Sequence, residues 1–166
     1  MKYSFLTLLV LFCVVVNAQP IKYTSGNLQW NADSLGNHRF ILHLTAAEFA
    51  KNRSVAQAVI PWRRHDDDPG EKRVIVIAEK GAVPVNNNKV LKADNESGSL
   101  LFEPVAGPGT YFVYYMPYKN EGRSNYPKGV YLAPAETAND AWIRQTMLRK
   151  VFARADTKAY ESIDAF

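Results

Sequence analysis

The chain has 166 residues, enough for one domain that buries most of the surface its unfolded form would expose. With 47% hydrophobic and 22% charged residues it lies near globular averages, which excludes disorder for the body of the chain. A formal net charge of +4, with both signs interspersed, argues against nucleic acid as a partner.

The opening segment stands apart. Lys2 supplies a positive start, residues 5–16 are apolar except for Thr7, and Val16-Asn17-Ala18 precedes Gln19 in a small-residue cleavage context. Residues 1–18 are therefore expected to be a signal peptide. An apolar run of about twelve residues is too short to cross a bilayer, which takes roughly twenty, so no stable membrane anchor is expected after cleavage. Cys13, the single cysteine, lies inside that run, and Val10-Leu11-Phe12 ahead of it lack the small residues of a lipoprotein cleavage site. Cleavage after Ala18 leaves no disulfide, thiolate metal site or cysteine nucleophile. A secreted chain of this kind points to the periplasm or cell surface of a Gram-negative bacterium.

Residues 19–37 are polar and punctuated by Ser, Gly and Asn, with Ile21 and Tyr23, then Leu28 and Trp30, as alternating apolar pairs. They read as a leader or an edge strand. Residues 39–45 alternate, with Phe40, Leu42 and Leu44 on one face, which predicts a strand. Residues 55–62 and 73–79 are rich in Val and Ile and are separated by a polar stretch containing Pro69-Gly70, which predicts two strands and a loop. Residues 100–105 and 110–118 flank Gly107-Pro108-Gly109 and predict two strands joined by a tight turn.

From Thr137 the period changes: Ile143, Met147 and Val151, with Leu148 and Phe152, recur at helical spacing, and Thr137-x-x-Asp140 offers a capping box. One C-terminal helix is expected. Residues 158–166 turn strand-like again. Short strands that do not alternate with helices predict a mostly β fold, a β-sandwich of two packed, mainly antiparallel sheets over residues 38–166.

The densest polar group is Trp62-Arg63-Arg64-His65-Asp66-Asp67-Asp68. Two readings stand side by side. Trp62, Arg63 and Arg64 can bind a sugar by ring stacking and forked hydrogen bonds, or the arginines can pair with Asp66 to Asp68 and fix the loop. Three consecutive carboxylates point different ways, which disfavours calcium. Among the tyrosines at 111, 114, 115, 118, 126 and 131, Tyr111 and Tyr115 share a face with Val113, while Tyr114 joins Phe112 and Met116. One face must be core; the other, with Tyr114 and Tyr118, is available for a ligand. Glu79, Asp94, Glu96 and Glu103 are present, but nothing pairs two of them roughly 5 to 9.5 Å apart across a glycosidic bond. No catalytic residue is assigned. His38, His43 and His65 lack zinc-ligand spacing, and no metal or cofactor is expected.

Taken in order, Ile60-Pro61-Trp62-Arg63-Arg64, Leu101-Phe102-Glu103-Pro104, Gly107-Pro108-Gly109-Thr110-Tyr111, Tyr114-Tyr115-Met116-Pro117-Tyr118 and Asn125-Tyr126-Pro127-Lys128 resemble the N-terminal domain of bacterial glycoside hydrolase family 123-like proteins. The resemblance runs from about Trp30 to Phe166. It implies a β-sandwich that precedes a larger barrel-type domain, and it assigns the hydrolytic carboxylate pair to that barrel. No residue here matches the pair. It also implies a further strand and the barrel beyond Phe166, so the domain is expected to be truncated at its C-terminal end, with an unpaired sheet edge. The function implied is a non-catalytic accessory domain with a carbohydrate-binding role, its partner a glycan or the barrel-type catalytic domain. The alternative is a remnant of a secreted hydrolase with no independent activity, its aromatic and basic patch once covered by the barrel.

Overall fold

The computed structural model describes residues 20–26, 28, 30–121, 125 and 128–163; the expected signal peptide, Tyr126 and residues 164–166 lie outside them. In chain order the elements are β1 (Lys22–Ser25), α1 (Ala32–Leu35), β2 (His38–Leu44), α2 (Ala46–Lys51), β3 (Ala56–Ile60), β4 (Val74–Ala78), β5 (Val83–Pro84), β6 (Asn88–Ala93), β7 (Gly98–Phe102), β8 (Gly109–Tyr115), β9 (Tyr118–Glu121), β10 (Lys128–Tyr131), α3 (Asp140–Met147) and β11 (Ala153–Ser162). Among these residues no helix is long and apolar enough to cross a membrane.

The fold is mostly β, as expected, but its layers are arranged differently from the expectation. Nine strands join in one sheet, eight in the order β5-β4-β8-β2-β11-β3-β7-β6, with β1 added parallel beside the C-terminal half of β11. A separate hairpin pairs β9 with β10. In place of two separately bonded main sheets, a single sheet curls on itself. The curl brings Phe102 of β7 and Tyr111 of β8 to 4.9 Å between ring centroids, although three strands separate β7 from β8 along the ladder.

Alternation places the core inside the curl. Phe40, Leu42 and Leu44 of β2 are buried, as the period-two pattern predicts, and meet Ala58, Ile60, Phe102, Val113 and Tyr160 in one cluster. The linker Gly107-Pro108-Gly109 therefore makes no hairpin. It carries the chain across the core from β7, bonded to β3 and β6, to β8, bonded to β2 and β4. Gly107 takes a φ of +77°, and its carbonyl accepts the Tyr111 hydroxyl at 2.7 Å.

Two further expectations change. The cap of α3 is Asn139, whose side chain accepts the N–H groups of Ala141 and Trp142, while the Thr137 hydroxyl donates to the Asn86 carbonyl instead of capping. The helix ends at Met147, so Val151 and Phe152 lie outside it. The last strand begins at Ala153, not 158, and lies inside the sheet: β2 flanks it on one side, β3 and then β1 on the other. The path instead ends on β5 and β6.

Candidate functional site

The loop after β3 is built around a buried aromatic ring. Trp62 is only 5% exposed; its ring lies 5.7 Å from Tyr115, and its Nε1 donates to the Asp94 carbonyl at 2.6 Å. Gly98 sits against the indole so closely that a Cβ there would come within 2.2 Å of it. No face of Trp62 is open for stacking a sugar.

Arg64 turns inward beside it. Its guanidinium carbon lies 4.8 Å from the Trp62 ring and 5.4 Å from Tyr115. Nε and Nη2 donate to Asp66 Oδ1 and Oδ2, both at 2.7 Å, in the forked geometry that favours arginine. Nη1 is buried without a hydrogen-bond partner among the described residues. Burial raises the Asp66 pKa, but the Arg64 hydrogen bond and charge, a backbone N–H and Lys72 together outweigh it, and the carboxyl becomes more acidic than usual. Asn95 closes the loop by donating to the carbonyls of Arg64 and Asp66. Arg63 alone of the three projects to solvent, from a left-handed backbone with φ +47°. Ion pairing thus fixes this loop around Arg64 and Asp66, and the three predicted loop residues do not form one open surface.

The tyrosines divide between the two faces of β8. Tyr111 and Tyr115 point into the core, and burial raises the pKa of both phenols; the neighbouring Tyr160 adds to the effect at Tyr115. Tyr114 lies on the outer face yet is 3% exposed, because a cluster absent from the sequence reading covers it. Arg39 is stacked 4.5 Å from Trp30 and 4.1 Å from Phe112, donates to the Tyr114 hydroxyl at 2.9 Å, and sets Nε 2.6 Å from Glu161 Oε2. Arg39 is directly opposite both Tyr114 and Glu161 in the strand register. Trp30 Nε1 donates to the Gly36 carbonyl, so the cluster fastens the segment ahead of β2 onto the sheet. Tyr118 is half-buried on the β9–β10 hairpin, opposite Tyr131, which is 48% exposed.

A cleft of about 470 Å³ runs beside β6, with Lys72, Val74, Lys89, Lys92, Pro134 and Glu136 in its walls. Its lysines face Asp66, Glu136 and Asp94 respectively, so its positive charge is already balanced. Three other carboxylates are likewise engaged: Glu48 with Lys51 and the Arg154 backbone, Glu103 with Asn87, and Glu161 with Arg39. The Lys51 hydrogen bond and the Arg154 backbone N–H lower the Glu48 pKa, and Lys92 with two backbone N–H groups lowers that of Asp94.

Residues 28–163 match the family model described as glycoside hydrolase 123, N-terminal domain. No curated protein and no solved structure matches the chain.

Proposed function

Because the chain belongs to the glycoside hydrolase 123 N-terminal domain family, we propose that it serves as a non-catalytic accessory domain for a glycoside-hydrolysing module, outside the cytoplasm. The observation that carries this reading is the match of residues 28–163 to the N-terminal domain of that family. Asp66, Glu48 and Asp94 agree with it, each held by a cationic partner that makes it a stronger acid, the opposite of the raised pKa a glycosidase acid needs. The curled sheet is, on this reading, a sandwich whose two leaves are joined through β2, β11 and β3. The test is an assay with aryl glycosides. The chain alone should give no turnover, and adding it to a glycoside hydrolase 123 catalytic module produced without its own N-terminal domain should raise that module's activity or thermal stability. Turnover by the chain alone that disappears in Glu103→Gln would refute the reading.

A second reading, direct carbohydrate contact, is favoured by the cross-strand pair Tyr118 and Tyr131, the latter half-exposed, since aromatic faces on a hairpin suit sugar rings. Titration with soluble glycans should then give binding that Tyr131→Ala weakens. Equal binding by wild type and variant would remove the hairpin from consideration.

A further inference from the structure

The spacing of Ile143, Met147 and Val151, with Leu148 and Phe152, predicts a helix, and the apolar side of a helix ordinarily faces a core. The structure turns three of these residues outward: Met147 is 50% exposed, Leu148 84% and Val151 61%. Three large apolar side chains within five positions form a patch unlike the scattered single residues of an ordinary surface.

The patch is held in place. Asn139 caps the start of α3, and Trp142 Nε1 donates to the Ser54 carbonyl at 3.2 Å. The buried side chain of Asn52 donates to the Val151 carbonyl at 2.8 Å and accepts the N–H groups of Ser54 and Val55. Ala153 N–H then donates to the Val55 carbonyl, entering β11. The exposure of these side chains is therefore a property of a tied backbone, not of a fraying end.

The charged residues between and immediately beside these positions in the chain are all basic. Arg144, Arg149 and Lys150 are exposed and form no ion pair among the described residues, in contrast to the lysines of the cleft. We infer that Met147, Leu148 and Val151, with Arg144, Arg149 and Lys150, form a docking face for a protein surface whose apolar centre is rimmed by carboxylates. This inference rests on the accessory-domain reading, in which that surface belongs to the hydrolysing module. Charge complementarity selects the acidic rim, and Met and Arg are residues enriched at protein interfaces. A lipid surface fits less well. Interfacial helices present a continuous apolar face with aromatic anchors, whereas this patch straddles the end of an eight-residue helix and has no aromatic among its exposed members.

The experiment measures binding of the full chain to a separately produced glycoside hydrolase 123 catalytic module by calorimetry. Wild type is compared with Leu148→Glu/Val151→Glu and with Arg144→Glu/Arg149→Glu/Lys150→Glu, after thermal melts establish that both variants are folded. The expected result is salt-sensitive binding that each variant weakens at least tenfold. Equal binding by wild type and both variants overturns the docking face and leaves the accessory role standing; no binding by wild type overturns both. Flotation with vesicles of phosphatidylglycerol and phosphatidylethanolamine, and sedimentation of the chain alone, test the other occupants. Vesicle binding, or a dimer, lost in Leu148→Glu/Val151→Glu assigns the patch to lipid or to a second copy and overturns the proposal.

Discussion

Asp66 carries more of the loop than its partial exposure suggests, because the guanidinium it neutralises is 1% exposed. Asp66→Asn leaves that charge buried and unpaired, at a cost of about 3 kcal/mol at neutral pH. The folded-state pKa of Asp66 lies below the ordinary 3.8, so its contribution is complete above that value and is lost as pH falls through the lower folded value. Urea unfolding should therefore show the gap between wild type and Asp66→Asn closing toward pH 3 and below. An unchanged gap would mean that the pair is not the source. Gly98 makes a second prediction at this scale. A methyl group there meets the Trp62 ring, so Gly98→Ala should cost about 3 kcal/mol and alter the near-ultraviolet dichroism of the indole. Neither Arg64 nor Trp62 betrays its burial locally. The groups that bury the indole, Gly98, Asp94 and Tyr115, lie more than thirty residues away, and periodicity does not reach that far.

At the level of elements, strands with strict alternation were legible. The residues expected to point inward from β2 do so, and β3, β4, β7 and β8 fall within a few residues of their predicted ranges. Their pairing was not legible, because the same Gly-Pro-Gly linker serves a hairpin or a crossing between leaves, and only long-range register decides. One missed element did have a signal: Thr45-x-x-Glu48 caps α2, with the Thr45 hydroxyl accepting the Glu48 N–H. In α3 the capping role moves two residues from the predicted one. Asn139→Ala should thus lower stability by about 1 kcal/mol in denaturant melts, and Thr137→Ala, which loses an exposed bond to Asn86, should cost less. The reverse ranking would restore the capping box.

For the whole molecule, one continuous sheet implies one cooperative unit, with stability graded from its centre outward. Amide exchange should be slowest in β2, β8 and β11 and faster in the short edge strand β5 and in the β9–β10 hairpin, which is bonded outside the main sheet. Equal protection of the hairpin and β11 would contradict this layout. The candidate site was the least legible level of all. The residue types that suggest a ligand, Trp62, Arg64 and Tyr114, are the ones the fold consumes, while Met147, Leu148 and Val151, apolar residues at helical spacing, remain outside.

The position of β11 also decides what holds the sheet together. β2 and β3 are neighbours in sequence, yet in the ladder they are joined only through residues 153–162. With that strand unpaired, the ladder falls into two groups, β5-β4-β8-β2 and β3-β7-β6, with no ladder bond between them among the described residues, so a single strand is the keystone of the whole shell.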